Sequence, residues 1–162
     1  MAIAIISDTH LPRGSRRLTG ACLERLRSAD LILHAGDITT VHTFGQLKKL
    51  GPEVHAVAGN IDEEILREML PVSLEVEIDG IRLAMIHDAG PTRGRLERLR
   101  ARFPRATAVI FGHSHIPLLE GDETGFQIFN PGSPTDRRRM PRHTMGIAHL
   151  EAGAVRFEHV EL

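Results

Sequence analysis

Two carboxylates, one amide and four imidazoles recur at comparable places along the chain, each just after a short apolar run. Asp8 and His10 follow Ala2–Ile6, Gly36-Asp37 follows Asp30–His34, and Gly59-Asn60 follows Glu53–Ala58. His87 follows Ile81–Ile86, and Gly112-His113-Ser114-His115 follows Thr107–Phe111. In α/β sheets the carboxyl ends of the strands share one lip, and ligands bind there. One lip would therefore gather Asp8, His10, Asp37, Asn60, His87, His113 and His115. Carboxylate, imidazole and amide oxygen without sulfur suit Mn, Fe, Zn, Ni or Co rather than Cu(I). Seven such ligands exceed what one ion takes and suit two ions sharing a carboxylate. Asp8 and His10, like His113 and His115, are two residues apart, which in extended chain aims both side chains one way. Gly36, Gly59 and Gly112 each precede a candidate ligand, where a missing Cβ lets backbone approach a crowded centre.

The elements that must carry these residues alternate in the first half. A strand at Ala2–Ile6, a helix at Leu18–Ser28, a strand at Asp30–His34, a helix at Thr40–Leu50 and a strand at Glu53–Ala58 follow from apolar periodicity and Gly/Pro stops. The second half is richer in hairpins. Val72–Ile78 and Ile81–Ile86 flank Asp79-Gly80, a type I′ turn signal. A basic helix is expected at Thr92–Phe103 and a buried strand at Thr107–Phe111. Antiparallel strands are expected at Ile116–Glu120, Gly125–Asn130, Met145–Glu151 and Ala154–His159. The pattern predicts an α/β fold: a four-layer α/β/β/α sandwich of two stacked mixed sheets flanked by helices. Residues 1–162 are expected to form a single domain.

Composition narrows the chemistry. Ten His stand against one Cys, so Cys22 can form neither an intrachain disulfide nor a thiolate zinc site. Lys+Arg number 20 and Asp+Glu 21, which leaves no overall basic field for nucleic acid. Aromatic content is 4%, all Phe, so stacking platforms for single-stranded bases are not expected. No apolar run reaches 18 residues, no leader is recognisable, and a cytoplasmic protein without membrane contact is expected.

The ordered set Asp8-x-His10, Gly36-Asp37, Gly59-Asn60-x-Asp62, His87, Gly112-His113-x-His115 and Asn130-Pro131-Gly132-Ser133 resembles the calcineurin-like metallophosphoesterases, most of all their small single-domain bacterial and archaeal phosphodiesterases. The resemblance implies a first metal held by Asp8, His10, Asp37 and His115. It implies a second held by Asp37, Asn60, His87 and His113, with Asp37 shared. It puts Asp37, Asn60 and His113 at the catalytic centre, Asn60 also beside a phosphate oxygen, and a hydroxide between the ions as the nucleophile. The implied cofactor is two divalent ions, Mn first, with Fe, Ni, Zn or Co as alternatives. The implied partner is a small phosphate ester, with a homodimer an open option. A phosphodiesterase is the leading reading. A phosphomonoesterase acting on a nucleotide or phosphoprotein is the alternative, and a non-catalytic scaffold on the same fold comes third.

Several residues stand outside that pattern. Many family members carry a His where Ile61 stands, and Ile61 cannot give a proton to a leaving group. Asp62 is a substitute acid or the cap of a helix beginning at Glu63. Asp88 is a candidate for orienting His87, and His34 for supporting the ligands from behind. Arg13, or one of Arg137, Arg138 and Arg139, is a candidate phosphate grip. His42, His55, His143, His149 and His159 read as ordinary surface or packed residues.

Overall fold

The structure, a computed structural model, describes residues 1–162. Fourteen elements follow one another. They are β1 (Ala2–Ile6), α1 (Gly20–Ser28), β2 (Leu31–His34), α2 (Val41–Lys48), β3 (Glu53–Ala56), α3 (Glu64–Met69), β4 (Ser73–Ile78), β5 (Ile81–Ile86), α4 (Arg95–Arg102), β6 (Ala108–Ile110), β7 (Leu118–Gly121), β8 (Gln127–Asn130), β9 (Thr144–Glu151) and β10 (Ala154–Glu161). They form two five-stranded mixed sheets, ordered β10-β9-β1-β2-β3 and β4-β5-β6-β8-β7. β1, β2 and β3 run parallel, as do β5, β6 and β8, and the outer strands pair antiparallel.

The four expected layers are present, and strand periodicity builds them. On β1, Ile3 and Ile5 face the second sheet, packing with Leu83, Met85, Ile110 and Phe129. Ala4 and Ile6 point the other way, onto Cys22 and Leu26 of α1, Phe44 and Leu47 of α2 and Leu66 of α3. The second sheet is likewise two-sided, with Ala84, Val109 and Ile128 packed on Leu99 of α4 and on Phe103, which ends that helix. Burial on both faces explains why β1, β2 and β6 read as continuous apolar runs.

Boundaries moved where side chains cap or backbone must turn. Thr19 caps α1 by accepting from the Cys22 amide at 3.2 Å, so the helix begins two residues after Leu18. Thr40 caps α2 through the Thr43 amide at 3.1 Å. α4 starts at Arg95 because Gly94 sits at φ +67°. Asp79 and Gly80 both have positive φ, as a type I′ turn requires. β7 begins at Leu118 rather than Ile116, because the chain leaves His115 through a left-handed turn. No helix is long and apolar enough to cross a membrane.

Candidate metal centre

All seven nominated donors gather at the carboxyl ends of β1, β2, β3, β5 and β6. They do not arrive as extended chain. Asp8, His10, Asp37, His113 and His115 have φ of 54°, 48°, 59°, 67° and 60°, in the left-handed region. A non-glycine residue there costs about 1–3 kcal/mol and persists only where surroundings impose it. The expectation that a two-residue pair points one way holds for Asp8 and His10, which converge on one donor group, and fails for His113 and His115. The turns send His115 to Asp8, with Nε2–Oδ1 at 3.4 Å, while His113 goes to Asn60, with Nδ1–Oδ1 at 3.0 Å.

Close backbone approach makes the turns possible. A Cβ on Gly36 would stand 2.6 Å from His87 Nδ1, and one on Gly59 would overlap the amide nitrogen and carboxylate of Asp37. The loop is strapped from behind by the Asn130–Asp136 segment. Ser133 Oγ donates to the Asp8 carbonyl at 2.8 Å, and Thr135 Oγ1 donates to the Thr9 carbonyl at 2.6 Å. Asn130 Nδ2 donates to the Gly112 carbonyl at 2.8 Å, fixing the turn that carries His113.

The hydrogen bonds decide which ring nitrogens are free. His87 Nδ1 donates to the Ala35 carbonyl at 2.7 Å, and His115 Nδ1 donates to the Asp136 carbonyl at 2.5 Å. His10 Nδ1 lies 3.3 Å from Asp136 Oδ2. In each neutral ring Nε2 is therefore the lone-pair nitrogen, and each Nε2 faces another electron-pair donor. Asp37 Oδ2 lies 3.3 Å from both His10 Nε2 and His87 Nε2. Asn60 Oδ1 lies 3.0 Å from His87 Nε2. Donors sharing one ion at about 2.0–2.1 Å stand about 3.0–3.4 Å apart, and these separations fall in that range. Lone pair set against lone pair repels unless a cation, a proton or a metal ion, lies between. The donor set therefore fits divalent metal. Asp8, His10 and His115 form one group and Asp8, Asp37 and His87 another; Asp37 stands between the two histidine sides.

The electrostatics show the same demand for positive charge. Burial disfavours a charged His87 ring, but the hydrogen bond and charge of Asp37 and the charge of Asp8 raise its pKa to about 9. Burial also opposes ionisation of Asp37, yet the bonds from His10 and His87 hold its carboxyl below the usual range. Burial dominates at Asp8, whose pKa is raised, and at His115, whose pKa is lowered.

The supporting residues differ from expectation in two places. Asp88 does not orient His87. Its carboxylate turns outward to accept from the Gly90 amide at 2.7 Å, and the Ala35 carbonyl holds the ring instead. Asp62 neither caps α3 nor offers a proton. Both its oxygens are acceptors, from the Thr39 amide at 2.6 Å and the Gly59 amide at 2.7 Å, and it is buried. It ties the β3 loop to the β2 loop. His34 does lie behind the centre. It accepts from the Gly36 amide at 3.2 Å and meets Thr9 Oγ1 at 3.1 Å, and full burial lowers its pKa to about 3.

Over the donors lies an open cavity of about 490 Å³, on whose wall stand Arg13, Arg16, Ile61 and Arg138. Arg13 is exposed. Arg138 was among the arginines expected here, whereas Asp136 and Arg16 were not singled out from sequence. Asp136 sits in what reads as a solvated Asp-Arg-Arg-Arg run, yet its carboxylate meets His10 and accepts from Arg16 Nη2 at 3.0 Å. Arg138 Nη2 donates to His115 Nε2 at 3.2 Å. A lone carboxylate two residues after the Ser-Pro of a buried turn was the only signal. The basic α4 face, in contrast, is spent internally. Arg98 bonds the Ala89 and Pro91 carbonyls, and Arg95 stacks on Phe111.

Comparison with known proteins agrees with this geometry. Residues 1–153 match the model of the calcineurin-like phosphoesterase superfamily domain. A probable metallophosphoesterase of Methanothermobacter thermautotrophicus is 37% identical over 137 residues, covering 83% of this chain and 78% of its own. Among solved structures, an archaeal phosphodiesterase superposes with TM-score 0.74 at 24% identity, over 99% of this chain and all of its own. Zinc-complexed Vps29 of Entamoeba histolytica superposes with TM-score 0.78 at 22% identity, over 99% of each chain. These two likenesses show the fold. With the family model spanning nearly the whole sequence and the donors of a metal centre in place, the chain belongs to the calcineurin-like phosphoesterase superfamily.

Proposed function

We propose that the protein is a metal-dependent phosphodiesterase acting on a small phosphate ester. The observation that supports it most is the convergence of the donor atoms of His10, His87, His115, Asp8, Asp37 and Asn60 under an open, arginine-walled cavity. Asp8, His10, Asp37 and His115 would hold one ion and Asp37, Asn60, His87 and His113 the other. Two divalent ions there, manganese in the first instance, would supply a water acidic enough to ionise near neutral pH and positive charge for the phosphoryl oxygens.

The chain's own groups would do the rest. Asn60 turns its Oδ1 to His87 and His113, which leaves its Nδ2 hydrogens for a phosphoryl oxygen. The Arg13 guanidinium makes no hydrogen bond to protein and stands on the cavity wall, where it suits a bidentate grip on phosphate. Ile61 contributes only its amide, which donates to Asp37 Oδ1 at 3.0 Å and steadies the shared carboxylate. With Ile61 inert and Asp62 locked as an acceptor, neither residue after the Gly59-Asn60 turn can protonate the departing oxygen. Esters with acidic leaving groups should therefore react fastest. The openness of the cavity, and a groove that leaves it past Arg16, favour a diester with two arms over a monoester.

The test is hydrolysis of bis-p-nitrophenyl phosphate against p-nitrophenyl phosphate by protein supplied with manganese. The diester is expected to be the better substrate. Asp37→Asn and His113→Ala should each lose about a hundredfold or more. Full activity in both variants would overturn the reading, and preference for the monoester would move it to a phosphomonoesterase.

A further inference from the structure

Beside the metal centre, a second cavity of about 590 Å³ runs between α1 and α2, and Arg16 lines both. Leu11, which follows His10 directly, enters its floor, and Thr43 of α2 holds the Leu11 carbonyl at 3.1 Å. Leu18, Leu23 and Leu50 extend that floor, each half-buried with an aliphatic face left open. No Phe lines it.

The charge around the floor is one-sided. Arg17, Arg27 and Lys49 stand at the rim, and no Asp or Glu lines the groove. None of the three makes an ion pair, although acidic and basic residues are nearly balanced in the whole chain. Arg16 alone is paired, to Asp136. Unpaired cations around an aliphatic floor complement a ligand that is aliphatic along its length and anionic at its end. His42 is the one aromatic ring in the lining, and the floor itself is aliphatic.

We propose that this groove is a subsite for the ester arm remote from the reacting bond, and that it takes an aliphatic arm carrying a second phosphate. The inference rests on the phosphoesterase reading of the metal centre, since that centre would hold the first phosphate. The scissile phosphate lies over the donors, the arm passes Arg16 and Leu11, and the second phosphate reaches Arg17, Arg27 and Lys49. The arm gains affinity from both contacts and takes no part in bond cleavage.

Titration calorimetry on the manganese-loaded protein tests this with non-hydrolysed pairs. Hexyl phosphate is compared with α,ω-alkanediol bisphosphates of four to ten carbons. At least one bisphosphate is expected to bind about tenfold or more tighter than hexyl phosphate. The gain should disappear in the Arg17→Glu, Lys49→Glu double variant, whose altered side chains are exposed and unpaired. Raised salt should weaken the gain. Equal affinity of hexyl phosphate and every bisphosphate, or a gain that survives charge reversal, overturns the subsite while leaving the metal centre standing. Failure of hexyl phosphate itself to bind counts against the centre and the subsite together.

Discussion

At the residue scale, the centre works by fixing which nitrogen of each ring is bare. Asp136 does this twice, through its carboxylate for His10 and its carbonyl for His115. Removing the carboxylate frees His10 to rotate or change tautomer. Asp136→Ala is expected to weaken manganese binding about 10–100-fold, with Asp136→Glu recovering part of the loss. Calorimetric metal titration measures it, and wild-type affinity in the alanine variant would sink the assignment. Ile61 carries a second expectation. Across a series of aryl methyl phosphodiesters, the rate should fall steeply as leaving-group pKa rises, and a flat series with chemistry rate-limiting would show a hidden acid. The donor types, their order and the glycines before them were legible in sequence. Asp136 was not, because an acidic residue within a run of arginines reads as a solvated loop.

The elements were legible wherever periodicity or a turn dipeptide spoke. Two-sided burial made β1, β2 and β6 continuous apolar runs, and Asp79-Gly80 gave its hairpin. The loops between were not, because five donors sit in left-handed backbone that only the assembled fold imposes. Spacing alone therefore misdirected His113 and His115 to the same side. One cap joins an element to the centre. Thr40 caps α2, and Thr43 in its first turn holds the Leu11 carbonyl just after His10. Thr40→Ala should cost about 1 kcal/mol of stability and Thr40→Ser very little. Urea unfolding of the metal-free protein reads the difference, and an unchanged midpoint in the alanine variant would remove the cap from the account.

For the whole molecule, His34 links stability to acidity. Its ring ordinarily titrates near 6.5 and, buried among Thr9 and Gly36, does so at about 3. Between those values the unfolded chain binds a proton that the folded chain does not, so stability is lost as pH falls. The slope from this ring is about 1.4 kcal/mol per pH unit between about 6 and 4. In metal-free protein, His34→Asn should flatten the pH dependence of unfolding by about that amount, and an unaltered slope would contradict the buried neutral ring. Near-neutral net charge also takes on a different meaning here. The positive potential that draws a phosphate ester need not come from the chain as a whole. On the proposed function, bound divalent ions and the few arginines around the cavity would supply it locally. The central claim joins metal, carboxylate and reaction, and one titration tests all three. Metal-free protein is titrated with manganese while hydrolysis of bis-p-nitrophenyl phosphate is followed. No turnover is expected without metal, then a rise to a plateau at about two ions per chain, with no such rise in Asp37→Asn. Turnover in the presence of chelator, or a wild-type rise in Asp37→Asn, would contradict it.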